Sequence, residues 1–287
     1  MFAKQPFTEV AALVGLSHKT VERLYYDSAE QHIDLPARYA RVRKLGIDEV
    51  AHRKGKRDFV CVLTDLERGV HLDILPDRRK ETLAAHFEAI GPQFCAQIEV
   101  VAMDMWRPYR DVAAKCFPDA EIVIDRFHVV QALNSVLDRI RKQLRRAQPG
   151  EACFKGIKWA LFKRVETCST AEHEQLAEAC ERSWLLGEAY ELRNTFHALF
   201  DHSRDQKALA AELGHWIEHA EGLSNTHIDR FVGTLRRWLA PITAFASTGL
   251  TNAVTEGLNN YLRYFKRISF GLPSFEHMRI RVLMATA

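Results

Sequence analysis

Between residues 43 and 148, apolar runs of strand length alternate with stripes of helical period; after Pro149 the strand-length runs stop. Asp58 to Thr64 and Val70 to Leu75 flank the turn Asp65-Leu66-Glu67-Arg68-Gly69, which is a hairpin pattern. With the run ending at Asp48 they predict a three-stranded meander. A helix follows over Arg79 to Ile90, its Leu83, Phe87 and Ile90 at i, i+4 and i+7. Then come a strand to Met103, a helix opened by Pro108, and a strand over Glu121 to Ile124. A long helix from about Val129 to Arg146 carries Leu133, Val136, Leu137, Ile140 and Leu144 on one stripe. The order βββαβαβα is that of a ribonuclease-H-like α/β core.

The remaining segments attach to that core. Residues 149–246 read as an all-helical insertion, with Trp159, Trp184, Trp216 and Trp238 among its apolar positions. Residues 247–287 return to the core, whose first part is 43–148. Residues 1–27 read as a partial helix-turn-helix: Ala11 lets two helices approach, Gly15 takes the turn, and Ser17 caps the second helix. Val21 and Leu24 are expected to face the first helix. In such a unit the second helix enters the major groove, which makes Ser17, His18, Lys19 and Arg23 candidate DNA contacts. Residues 28–42, with Pro36, read as a linker.

Composition narrows the classes. The chain has 287 residues, 47% hydrophobic and 27% charged, which is the balance of a soluble protein. No stretch approaches the roughly 20 apolar residues of a membrane helix, and the first residues do not form a signal peptide; the cytoplasm is the expected location. The six cysteines are scattered without CxxC spacing, so neither a zinc site nor a redox pair is expected. Net charge is only +3. The distribution says more: basic clusters occur at Arg53 to Arg57, Arg139 to Arg146, Arg236-Arg237, Arg263 to Arg267 and Arg279 to Arg281. Acids crowd into Glu166 to Glu191, so a phosphate-binding face is expected elsewhere.

Three carboxylates carry the chemistry. Asp48 ends the run Leu45-Gly46-Ile47, and Asp104 ends the run from Ile98 to Met103. In a mixed sheet those two strands can be neighbours, and two carboxylates so close call for a cation or a shared proton. Oxygen-only ligands suit Mg²⁺ or Mn²⁺, and a two-metal site of that kind serves phosphodiester displacement. Glu256 supplies a third carboxylate from a helix on which Glu256, Asn260, Arg263 and Arg267 share one stripe. Leu258, Leu262 and Phe265 lie opposite. Asp125 competes with Asp104 for the second metal position and is equally well read as an N-cap. His128 reads as a proton shuttle, a phosphate contact or a packed imidazole. Glu49 alternates with Asp48 and is expected to face away.

These segments resemble the ISL3 family of insertion-sequence transposases. The resemblance rests on Leu45-Gly46-Ile47-Asp48-Glu49, Met103-Asp104-Met105-Trp106-Arg107-Pro108-Tyr109, Asp125-Arg126-Phe127-His128-Val129-Val130 and Thr251 through Asn260. Lys266-Arg267 and Gly271 through Glu276 also fit. It implies a DDE transposase with a ribonuclease-H-like fold, the acidic triad Asp48, Asp104 and Glu256, and accessory roles for Asp125 and His128. Arg107 and Lys266, inside the matched strings, join the DNA-binding set. The implied cofactor is Mg²⁺, with Mn²⁺ substituting and no zinc in this chain. The implied partner is double-stranded DNA, both the element's terminal inverted repeats and a target, bound by a homodimer at the nucleoid and not at a membrane. Family members begin with a cysteine-based zinc segment, whereas no cysteine precedes Cys61 here; the expectation is a shortened copy or a module encoded separately or lost. A truncated, non-catalytic DNA-binding competitor and a nuclease or resolvase on the same fold are the alternative readings.

Overall fold

The structure, a computed structural model, describes residues 5–53, 58–202, 205–250, 253–268 and 274–285. The basic run Lys54 to Arg57, Thr251-Asn252 and the stretch 269–273 lie outside the described residues. The chain divides into two units, one of residues 1–122 with 251–287 and one of Val123–Leu250.

The first unit holds α1 (Phe7–Val14), α2 (His18–Ala29), α3 (Leu35–Tyr39), β1 (Lys44–Arg53), β2 (Asp58–Asp65) and β3 (Val70–Leu75). After them come α4 (Lys80–Ile90), α5 (Pro92–Gln97), β4 (Val100–Met103), α6 (Arg107–Cys116) and β5 (Glu121–Ile124). The second unit is helical after β5: α7 (Arg126–Ala147), α8 (Lys158–Phe162), α9 (Thr170–Arg182), α10 (Trp184–His202), α11 (Gln206–Gly222), α12 (Thr226–Arg237), α13 (Leu239–Thr243) and α14 (Phe245–Thr248). The last helices, α15 (Ala253–Ile268) and α16 (Phe275–Ala285), belong to the first unit.

The five strands form one mixed sheet in the order β3-β2-β1-β4-β5. The expected meander is present: β1, β2 and β3 pair antiparallel. β4 runs parallel to β1, with Lys44 opposite Val100 and Ile47 opposite Met103. Asp48 does not end a strand, contrary to the reading of its apolar run. β1 continues to Arg53 because β2 pairs along it, Asp48 opposite Val62 and Val50 opposite Val60. The run Leu45-Gly46-Ile47 marks only the part of β1 that β4 also covers.

Alternation along the strands sends successive side chains to opposite faces. On one face Val50, Val60, Val62 and Ile74 pack with Leu262 and Phe265 of α15 and Met278 and Val282 of α16. Each such burial contributes about 1.5–3 kcal/mol, and the cluster fixes α15 against β1. On the other face the buried Tyr109 hydroxyl of α6 meets the Cys61 thiol, and burial pushes that thiol up to about 12. Phe87 and Phe117 stack edge-to-face there at 4.8 Å.

α1 and α2 meet as the sequence suggests in part. Gly15 takes the left-handed turn at φ +69°, and the Ser17 hydroxyl accepts from Thr20 N. Val10, Ala11 and Val21 form the contact. Leu24 does not face α1; it is 51% exposed. α2 runs on to Ala29, and its inner face is set by Tyr26 and Ala29 against Ile280 of α16. Tyr26 also stacks on His277 at 3.7 Å between centroids. Residues 28–42 are not a free linker. Asp34 caps α3 through Ala37 N, Pro36 sits in its first turn, where a missing N–H costs nothing, and the buried Tyr39 hydroxyl bonds His86 Nε2 at 2.9 Å.

In the second unit, Val129, Leu133, Val136, Leu137 and Ile140 make the buried stripe of α7, which the periodicity anticipated from Leu133 onward. Trp216 and Trp238 are buried, but Trp159 and Trp184 are 66% and 65% exposed. α8 is a single short turn that buries Ala160 and Leu161, which leaves Trp159 outside with the Lys158 ammonium 4.4 Å from its ring. Among the described residues no helix is long and apolar enough to cross a membrane.

Candidate active site

The parallel register of β1 and β4 builds the site. Ile47 and Met103 are the last opposed pair, so Asp48 and Asp104 are the next residue on each strand and point to the same face. Their carboxylate oxygens lie within 4.8 Å of one another. Asp48 is buried and Asp104 half-buried. Met103 ends the strand pairing, and Asp104 O then accepts from Trp106 N at 2.6 Å, a tight turn that leads directly into α6.

Asp48 is held from two directions. Its Oδ1 accepts from Glu49 N at 2.7 Å, and its Oδ2 accepts from Asn259 Nδ2 at 2.5 Å. Asn259 is 1% exposed and Thr255 0% exposed, both on the inner face of α15 that continues into Leu262 and Phe265. The sequence reading passed over Asn259. Its signal was there: Thr255, Asn259 and Leu262 follow i, i+4, i+7, so two polar residues occupy the stripe that the apolar period marks as buried.

Glu256 follows Thr255 and is exposed, as are Asn260, Arg263 and Arg267. The stripe of these four residues is therefore the outer face of α15, and Arg263 Nη1 donates to Asn260 Oδ1 at 2.7 Å. The structure brings Asp48 and Asp104 together, while the set of ligand atoms within 4.8 Å that includes both does not contain Glu256. Burial of Leu262 and Phe265 directs Asn259 at Asp48; Glu256, three residues earlier, lies about 60° round the helix from it. Lys266, expected to contact DNA, also makes bonds within the chain. Its ammonium donates to Ala51 O at 2.7 Å and His52 O at 2.5 Å, fastening α15 to the far end of β1. Burial lowers its pKa.

The other candidates are placed as follows. Arg107 is exposed at the start of α6; Ser17, His18, Lys19 and Arg23 are exposed on the α1–α2 pair. Asp125 caps α7, accepting from Phe127 N at 3.1 Å, which matches its N-cap reading. His128 is half-buried in the first turn of α7. Glu49 turns away from Asp48 and pairs with Arg78 at 2.6 Å, as strand alternation predicts.

Gly46 lets α15 come this close. A Cβ at that position meets Leu66 Cδ2 at 2.9 Å and Thr255 Oγ1 at 3.0 Å. Gly46→Val is therefore expected to lower stability by about 1–3 kcal/mol, the usual cost of overpacking. It should also disturb the Asn259–Asp48 hydrogen bond, because α15 shifts with Thr255. Denaturant unfolding checks the stability; a variant of wild-type stability contradicts the close packing.

Two carboxylates on neighbouring strands with oxygens within 4.8 Å make an arrangement that calls for a cation or a shared proton. A divalent cation suits a site of this kind, since carboxylate oxygens are among its usual ligands. The residues present fit such an ion.

Comparison with known proteins gives the same direction. The ISL3 family of DDE transposases, described as "Transposase", matches residues 45–282. The chain belongs to that family. The matched span carries Asp48, Asp104, Asp125, His128 and Glu256. Among relatives, the transposase for insertion sequence element IS1001 of Bordetella parapertussis is 31% identical over 252 residues, covering 86% of this chain and 62% of the relative. The transposase for insertion sequence element IS1557 of Mycobacterium tuberculosis is 27% identical over 296 residues, covering 93% and 65%. This ISL3-family chain thus spans less than two thirds of the length of either relative.

Proposed function

We propose that the chain is a DNA transposase that cleaves and rejoins strands at the ends of an insertion sequence. The observation that carries this is the Asp48–Asp104 pair, set side by side by the β1–β4 register in a family named for transposition. The sheet order and the meander followed by a parallel strand support a ribonuclease-H-like core, with residues 149–246 as a helical insertion. The α1–α2 pair, with its Gly15 turn and exposed Ser17, His18, Lys19 and Arg23, supports a helix-turn-helix that contacts duplex DNA.

Asp48 and Asp104 would hold Mg²⁺ or Mn²⁺. Glu256 is proposed as the third carboxylate because it rides the helix that fastens Asn259 to Asp48. A divalent ion bound there supplies Lewis acidity toward phosphodiester oxygens. The chain's own groups do the rest. Asn259 keeps the Asp48 carboxylate from rotating, and Lys266 keeps α15 on β1. Arg263 and Arg267 offer exposed charge to phosphates, and Arg107 does so from α6. Asp125 and His128 are assigned accessory roles. Water attack frees a 3′-hydroxyl at each element end; that hydroxyl then attacks a target phosphorus and releases a target 3′-hydroxyl. A homodimer bound to both ends is the proposed working form.

A plasmid bearing the element's ends, incubated with Mg²⁺ or Mn²⁺, should be nicked and should yield strand-transfer products. DNA binding without metal-dependent nicking sinks the enzymatic reading, and nicking without joining makes the chain a nuclease. Arg263→Ala and Arg267→Ala should each lower the slope of log affinity against log salt by about 0.9, the value for one lost phosphate contact. Unchanged slopes would move the DNA path off the outer face of α15.

A further inference from the structure

Trp106 lies two residues past Asp104 and is 40% exposed. Its backbone is pinned: its N–H donates to Asp104 O at 2.6 Å, and its carbonyl accepts from Tyr109 N at 3.1 Å and Arg110 N at 3.2 Å. Its ring is propped by Arg78, whose guanidinium carbon is 4.9 Å from the indole centroid and 4.4 Å from the Phe59 centroid. Arg78 is itself anchored, Nη1 donating to both Glu49 oxygens at 2.7 and 2.6 Å.

The guanidinium charge is matched by Glu49, so Arg78 serves here as a spacer between two rings and not as a phosphate ligand. The result is a flat, uncharged surface, fixed in orientation, left partly in water and tied by one tight turn to a carboxylate of the acid pair. A ring held this way loses little freedom when something stacks on it. The flat uncharged groups of a DNA strand are its bases, and in a paired duplex their faces are hidden.

We propose that the Trp106 indole, backed by Arg78 and Phe59, is a stacking platform for an unpaired nucleobase of the strand that lies at Asp48 and Asp104. This rests on the DNA-cleaving reading above and adds to it a preference for opened ends over closed duplex. Base–aromatic stacking is sequence-tolerant and of a size to matter, so the platform would register an opened end whatever its sequence.

The test compares two labelled probes on the full chain by fluorescence anisotropy: a short blunt duplex and the same duplex with a forked, unpaired end. 2-Aminopurine in the fork reports stacking through its quenching. The wild-type chain should bind the fork about five- to 150-fold more tightly than the blunt duplex and quench the probe. Trp106→Ala should lose both the preference and the quenching while binding the blunt duplex as before, which also shows that it is folded. Trp106→Phe should retain most of each. Equal affinity of the wild type for both probes, or a fork preference that survives in Trp106→Ala, overturns the proposal. So does a Trp106→Ala variant that changes oligomeric mass but not fork binding, which would assign the indole to a protein interface. Failure to bind either probe is a separate result: it removes the DNA reading itself.

Discussion

If the chain cleaves DNA as proposed, Asp104→Asn is expected to abolish metal-dependent cleavage, by about a thousandfold or more, and to leave duplex binding at the wild-type level. The substitution keeps the size of the side chain and removes its charge. The Lewis acidity of a bound ion supplies several kcal/mol of charge stabilisation, and each 1.36 kcal/mol is worth tenfold in rate. Losing one of two facing ligands forfeits most of that. The same variant has a second signature that needs no substrate. Adding Mn²⁺ should stabilise the wild-type chain by linkage but not Asp104→Asn. A variant that still gains stability from Mn²⁺ removes Asp104 from the ion's ligands. If Asp125→Asn alone reproduces the loss of cleavage, the second ligand is Asp125.

On the same proposal, Asn259→Leu is expected to lower Mn²⁺ affinity and cleavage by about 10- to 100-fold, the range for losing a hydrogen bond that orients a metal-binding carboxylate. Leucine keeps the branched outline of asparagine with methyl groups in place of the amide, and α15 remains docked through Leu262 and Phe265. What disappears is the donor 2.5 Å from Asp48 Oδ2, leaving that oxygen beside a methyl group. Duplex affinity and its salt dependence should not change, because Arg263 and Arg267 are exposed and are not touched by the substitution. Asn259→Gln, which keeps an amide on a longer stem, should recover part of the loss. Calorimetric titration of Mn²⁺ into the free chain separates this from general damage: wild-type affinity in Asn259→Leu would mean that the strand alone positions Asp48.

Much of the first unit was legible because its signals are local. The hairpin between β2 and β3 announced itself through its turn and flanking runs, and Pro108 marked the start of α6. The inner and outer faces of α15 followed from the spacing of Leu262 and Phe265 against Arg263 and Arg267. Errors arose where a residue's surroundings come from distant segments. Leu24 fits a two-helix contact but is exposed, because α16 supplies the surface that α2 packs on. Trp159 and Trp184 look like core residues by type, yet short helices and chain direction leave them outside. Lys266 reads as one more phosphate contact, and its ammonium also donates to two β1 carbonyls that no local pattern announces.

Periodicity in the sequence determined which elements form, which face of each is apolar, and that Asp48 and Asp104 follow strand-forming runs. Only the tertiary structure decided that β1 and β4 align with Ile47 opposite Met103, which sets the two acids level. It alone also decided that α15 rotates to present Asn259 to an aspartate 211 residues away. The reason is physical: hydrophobic burial is non-directional, whereas a hydrogen bond and a strand register are directional. Such contacts between remote segments leave no repeat in the local sequence.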